Sequence, residues 1–129
     1  MKILLINERL DFAGGAERYT ADVAVGLVRL GHEVEVIFGF GDKSNSFSSE
    51  VKTTFIQDLA VIDIIRATTV INPDVINIQN INDPRMLIEL NNRWPTVRFI
   101  HDHRSYCPGN SKMWFSSNQA CPVAASWRC

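Results

Sequence analysis

The sequence predicts an α/β protein, a doubly wound parallel sheet of the Rossmann-like kind, and three observations carry that expectation. Short apolar runs at residues 2–7, 33–38, 51–56, 75–79 and 97–101 alternate with segments of helical period. Helices of that length between strands imply parallel neighbours joined by right-handed crossovers. Stop signals, Gly31-His32 and Asn72-Pro73-Asp74, fall between helix and strand where such units need them.

The first run, Lys2-Ile3-Leu4-Leu5-Ile6, is apolar almost throughout, as a buried strand of a parallel sheet requires. Residues 8–15 are a loop that closes on Gly14-Gly15. From Ala16, the positions Tyr19, Val23, Ala24, Leu27 and Leu30 recur at helical spacing, so one face packs on the sheet. Gly31 supplies a left-handed stop, and the second strand follows, settling into Val36-Ile37-Phe38. Residues 39–50, with four serines, are a polar loop before the third strand. Asp58 is the expected cap of a helix through Leu59, Ile62 and Ile65. Residues 75–79 form the fourth strand and 80–83 a loop. Pro84 suits the first turn of a helix through Met86, Leu87 and Leu90, which Trp94-Pro95 ends before the fifth strand. Beyond His101 the periodicity fails: residues 102–129 hold two prolines, scattered aromatics and three cysteines. They read as an irregular segment of the same domain, so that residues 1–129 are one domain left incomplete at its C-terminus.

Composition narrows the partners. A length of 129 residues with 46% hydrophobic and 21% charged residues fits one globular domain with a real core. A net charge of −1 offers no bulk attraction to nucleic acid or to an anionic membrane, and suits a small molecule or a neutral polymer. Asn7, Glu8 and Arg9 end the first apolar run too early for a signal peptide, and no stretch approaches the ~18 apolar residues that cross a bilayer. The expected location is therefore cytoplasmic, with the cysteines as reduced thiols. Their odd number also argues against a closed disulfide framework.

Ligands of such sheets bind beyond the carboxyl ends of the strands. The first crossing is the most informative, because Gly14-Gly15 stands between a strand and a helix start. Glycines let a phosphate approach the backbone, where unpaired N–H groups and the helix dipole stabilise its charge. A plain tight turn explains a glycine pair equally well. Nicotinamide-type binding is disfavoured: no G-x-G-x-x-G follows the first strand, and Phe38-Gly39-Phe40 stands where a ribose-binding carboxylate would end the second. Gly41-Asp42-Lys43-Ser44 lacks the order of a phosphate-binding loop and follows the wrong strand. Cys107, Cys121 and Cys129, with thirteen and seven residues between them, fit no compact zinc motif. With His101 or His103 they could complete a tetrahedral site, but ordinary thiols are the preferred reading. No metal or cofactor is expected.

Residues 7–19, centred on Gly14-Gly15-Ala16-Glu17-Arg18, resemble the first loop and helix of retaining GT-B glycosyltransferases of the family-four type. Gly31-His32-Glu33-Val34 is similar to that family's G-H-x-V lead-in to the second strand, and Asn72-Pro73-Asp74-Val75-Ile76 to its P-D-V-[IV] lead-in to the fourth. His101-Asp102, followed by Cys107-Pro108, resembles the segment closing its next strand. These four stand in order at compatible spacing and cover essentially the whole chain.

The resemblance implies a two-domain enzyme with its active site between the domains. The N-terminal domain mainly receives the acceptor, and a C-terminal domain, absent here, holds most of the nucleotide-sugar donor. Gly14, Gly15, Ala16 and Glu17 would then lie near the donor diphosphate. His101 would face the transferred sugar as the catalytic hydrogen-bonding group, and Asn80, Asp102 and Arg104 would be acceptor contacts. Apart from the resemblance, a strand-end histidine is commonly a partly buried polar group, and a first-turn glutamate serves the helix dipole. Tyr106, Trp114, Phe115 and Trp127 would line a sugar-binding face or form core. The family's paired C-terminal glutamates have no counterpart in these residues, so the isolated chain is expected to be inactive. The implied partners are a nucleotide sugar, as substrate and not cofactor, and a glycan, lipid-linked or small-molecule acceptor. Peripheral membrane contact of the full-length protein is also implied, and nucleic acid is not. The alternatives are a non-catalytic flavodoxin-like binding module and a fragment of a nucleotide-sugar epimerase.

Overall fold

The computed structural model describes residues 1–11, 14–41, 50–81, 83–101, 113–114 and 119–121. The chain divides into two compact units, Met1–Phe99 and Ile100–Cys129. The first runs β1 (Lys2–Arg9), α1 (Gly15–Arg29), β2 (Glu33–Phe40), β3 (Lys52–Phe55), a 3-10 turn (Gln57–Leu59), α2 (Val61–Ile71), β4 (Val75–Gln79), α3 (Pro84–Asn91) and β5 (Thr96–Phe99). Its strands form one sheet in the order β3-β2-β1-β4-β5, every neighbouring pair parallel. This is the doubly wound, Rossmann-like architecture the sequence predicts. In the second unit, β6 (Met113–Trp114) and β7 (Gln119–Ala120) pair antiparallel.

Strand alternation sorts the core into two layers. Leu4 and Ile6 of β1, Ile37 of β2 and Ile76 and Ile78 of β4 pack with Ile64 and Ile71 of α2 and Met86 and Leu90 of α3. Ile3 and Leu5, with Val34, Val36 and Phe38, pack with Ala21 and Ala24 of α1. β1 is therefore buried on both faces, and Leu4, Leu5 and Ile6 have no exposed surface. Each such side chain contributes roughly 1.5–3 kcal/mol relative to exposure. The chain leaves β1 toward β2 on one side, and later returns to β4 on the other. The crossing between β1 and β4 is thus the topological switch point, where sheets of this kind open a crevice at their carboxyl edge.

The helix ends follow their capping chemistry. Gly31 adopts φ 84°, and the N–H groups of Gly31 and His32 return to the carbonyls of Val28 and Leu27, a Schellman closure. Asn72 ends α2 in the left-handed region, its N–H bonded to Thr68 O at 2.8 Å. At α3, Pro84 follows the cap Asp83, whose carboxylate accepts from the Arg85 N–H at 2.9 Å. Asp74 clamps the start of β4 to β1: its carboxylate accepts from Lys2 N–H at 2.7 Å, and its own N–H donates to Lys2 O.

Four local expectations are corrected. β1 and β2 each run two residues further than the apolar runs, to the pair Arg9–Phe40, and the Leu10 N–H donates to Phe40 O. Backbone pairing between the two parallel neighbours continues past the point where β1 turns polar and β2 reaches Gly39. Gly41, at φ 111°, lets β2 turn away beside this end: a β-carbon there would lie 3.0 Å from Asp11 N. Asp58 does not cap α2. It stands at φ 52° inside the 3-10 turn, next to Leu59 at φ 47°, and α2 begins after Ala60. Leu59 turns inward against Gly39, where a β-carbon would meet its Cγ at 2.6 Å. This inward packing overrides the local capping preference. Finally, β5 ends at Phe99, so His101 lies two residues past the strand.

Candidate active site

The carboxyl edge of the first unit is built around the end of β1. Its last inward position on the α1 face after Leu5 is Asn7, a fully buried amide. Asn7 Nδ2 donates to Arg9 O at 2.7 Å, while Oδ1 has no hydrogen-bond partner. Arg9, one strand period on, is half-exposed and grips Asp11 through both Nε, at 2.9 Å, and Nη2. The Asp11 hydrogen bond and charge, with Glu17 and Glu8 more distantly, raise the Arg9 pKa above its already high value.

Gly14 is the N-cap of α1 in an extended conformation, and no side chain caps the helix. The first intrahelical bond runs from Arg18 N–H to Gly14 O, so the N–H groups of Gly15, Ala16 and Glu17 precede the ladder. Both glycines are exposed. A β-carbon on Gly15 would meet nothing within 4 Å, whereas one on Gly14 would lie 2.8 Å from Glu17 Oε2. Ala16 is half-buried and its carbonyl accepts from Thr20 Oγ1 at 2.8 Å. Glu17 is the surprise: although charged and in the first turn, it is only 9% exposed, its carboxylate folded back beside Gly14. The structure therefore places Gly14, Gly15, Ala16 and Glu17 at one helix start, with Arg9 of β1 near enough to feel the charge of Glu17.

The neighbouring loop contributes Asn80, half-exposed at φ 43° directly after β4. A left-handed turn suits asparagine, and it directs the chain into α3. Before it, the fully buried Gln79 donates from Nε2 to Asn77 Oδ1 at 2.8 Å. Tyr19 of α1 stacks on Phe99 at the end of β5. A groove between α2 and α3, lined by Val61, Ile62, Ile65, Arg85, Glu89 and Arg93, is a weaker candidate. Its arginines are already paired, Arg85 with Asp83 and Arg93 with Glu89.

His101 is half-buried and belongs to the second unit. Cys121, also half-buried, carries a thiol and no disulfide. Asp102, Arg104, Cys107 and Cys129, with Tyr106, Phe115 and Trp127, lie outside the described residues. Among the described residues no three histidine, cysteine, aspartate or glutamate side chains gather as a metal site. Sequence reasoning passed over Asn7 and Arg9 because the polar residues after Ile6 marked the end of a strand. An alternation count carried two residues further would have placed both on the face that α1 covers.

The fold is a Rossmann-like α/β domain, with the glycine-opened start of α1 at the carboxyl end of β1. The profile of Glycosyltransferase Family 4 matches residues 13–121, beginning one residue before the glycine pair, and the chain belongs to that family. It is 31% identical over 118 residues to the alpha-1,3/1,6-mannosyltransferase ALG2 of Yarrowia lipolytica. The match covers 89% of this chain and 25% of the relative, so the chain spans about a quarter of the length of that protein. No helix among the described residues is long and apolar enough to cross a membrane.

Proposed function

We propose that this chain is the acceptor-side domain of an enzyme that moves a hexose from a nucleotide sugar to a glycan or lipid-linked acceptor with retention of configuration. Mannose is the favoured sugar, by analogy with the mannosyltransferase that the chain resembles. The observation that carries the reading is the uncapped, glycine-opened start of α1 at the sheet's switch point. Its leading N–H groups and the helix dipole face the position where negative charge grows on a departing diphosphate, and they are oriented before the reaction begins. The open flank of Gly15 is the approach for that diphosphate. His101 donates a hydrogen bond to the transferred sugar, and Asn80, Asp102 and Arg104 contact the acceptor. Catalysis rests on placing acceptor and donor together and stabilising the leaving group, with no resident metal. The enzyme works in the cytoplasm, and the 129-residue chain alone does not turn over, because a second domain must hold the nucleotide.

The test is an assay of the longer polypeptide that carries this chain, against a panel of nucleotide sugars and glycan or lipid-linked acceptors. Transfer with the anomeric configuration kept, read by NMR of the product, is expected. A product of inverted configuration, or nucleotide-sugar consumption with no glycoside formed, would remove the reading.

A further inference from the structure

We propose that the Glu17 carboxylate is the hydroxyl-binding group of this rim, accepting a hydrogen bond from a sugar ring; the inference rests on the glycosyl-transfer reading above. Glu17 is only 9% exposed as a residue, but its carboxylate oxygens are not sealed from solvent, so a bound ligand can reach them. Among the described residues, none donates a hydrogen bond to it. Glu17 stands three positions after the N-cap, where a capping-box glutamate reaches back to the N-cap N–H. Here its Oε2 comes beside the Gly14 α-carbon, in the space a side chain would fill, yet that capping bond is not made. The nearby cation, Arg9, holds Asp11 with both arms and acts on Glu17 only through its charge.

A second acceptor at the same end of β1, the buried Asn7 Oδ1, also lacks a donor. Asn7 Oδ1 is sealed from solvent, so the groups open to a ligand are the N–H donors of the first turn of α1 together with the Glu17 carboxylate. A phosphate brings acceptors alone, and against Glu17 it would bring like charge as well. A sugar hydroxyl donates and accepts at once, and matches the set. The diphosphate then approaches the open flank of Gly15, and the hydroxyl lies against Glu17 on the side of Gly14.

The experiment follows the Glu17 side-chain carboxyl resonance by carbon NMR in this chain, and binding to Glu17→Gln. The probes are methyl α-mannoside, its monodeoxy analogues, a nucleotide sugar, the matching nucleoside diphosphate and inorganic pyrophosphate. Methyl α-mannoside or the nucleotide sugar should move the Glu17 resonance, and pyrophosphate should not. One deoxy analogue should lose the effect. Glu17→Gln should weaken sugar binding at least about tenfold, as loss of a hydrogen bond to a charged group does, and leave pyrophosphate binding no weaker. A response to the free mannoside assigns the hydroxyl to the acceptor; a response only to the nucleotide sugar, beyond that of the nucleoside diphosphate, assigns it to the donor. A resonance that ignores every sugar, or that follows pyrophosphate, overturns the inference whether or not Glu17→Gln folds. If the longer polypeptide meanwhile transfers sugar, the proposed function stands without it.

Discussion

Tyr19, in the second turn of α1, stacks on Phe99 at the end of β5, with ring centroids 4.8 Å apart and planes 27° from parallel. The contact carries the first helix across the switch point, from above β1 to the far edge strand beyond β4. Both rings remain more than a third exposed. Aromatic pairs contribute about 0.5–1.5 kcal/mol beyond the area they bury, and a half-wet pair belongs at the low end of that range. A double-mutant cycle of Tyr19→Ala and Phe99→Ala in urea should give a coupling of about 0.5 kcal/mol. Strictly additive losses would mean that the stack adds nothing beyond burial.

Among the described glycines, Gly39 leaves the least room for a side chain. A β-carbon there would press on Leu59, with its Cγ at 2.6 Å and its backbone N at 3.2 Å. Gly39→Ala should therefore destabilise the chain by about 1–3 kcal/mol, the usual cost of overpacking. Shortening the neighbour should recover part of that loss, so Gly39→Ala combined with Leu59→Ala should lose less than the two single losses added. Chemical denaturation of the four proteins tests this, and a Gly39→Ala protein as stable as the parent would refute it.

Asp83 gives the fold an acid sensitivity. Hydrogen bonds from the Arg85 side chain and from the backbone N–H of Arg85 hold its pKa below the ordinary carboxylate value. A depressed pKa in the folded chain means that ionised Asp83 favours folding. Its contribution is complete above the unfolded value of roughly 3.9 and fades as pH falls through the lower folded value. Asp83→Asn keeps a good N-cap but removes the charge. The parent should melt above the variant at pH 7, and the gap should close as the pH is taken down to about 2. A gap that stays constant with pH would show that the charge is not its source.

For Gly15 and His101 the expected losses are functional. Gly15 is exposed with open space beside it, so Gly15→Val should fold with only the small penalty of a branched residue in a first helical turn. The added side chain would stand where a diphosphate must approach backbone. In the longer polypeptide, Gly15→Val should lower kcat/KM for the nucleotide sugar by about a hundredfold or more, on the order of what one preorganised donor supplies. His101→Ala should lower kcat similarly with an unchanged melting temperature. If either variant keeps parental turnover, or loses activity only in step with lost folded protein, that residue has no role in the chemistry.

Most of the fold was legible because the strands announce themselves twice, by apolar runs and by the stops before them. Val75 to Gln79 is bounded by Asn72-Pro73-Asp74 on one side and a polar loop on the other, and its limits matched to the residue. Asp58 was misread because an aspartate before an apolar stretch looks like a cap. What decides that turn is Leu59 against Gly39, a contact between residues twenty positions apart with no local signal. At the site, the glycine pair was visible as a pattern and stands at the start of α1 as expected. The burial of Glu17 was not visible, since an acidic first-turn residue normally remains in water beside the helix dipole. The side chain's return onto Gly14, a residue without a side chain of its own, gives the carboxylate room there.

β1 has a strand on each side and a helical layer over each face, whereas β5 has, among the described residues, a single strand beside it. The two will surrender their amide protons on different schedules. In deuterated water, Leu4, Leu5 and Ile6 should exchange only when the whole unit opens, while Val97 and Arg98 escape through small local fluctuations. The glycine-bearing loop thus hangs from the last strand to let go, and the start of α1 stays in register while the sheet's margin breathes.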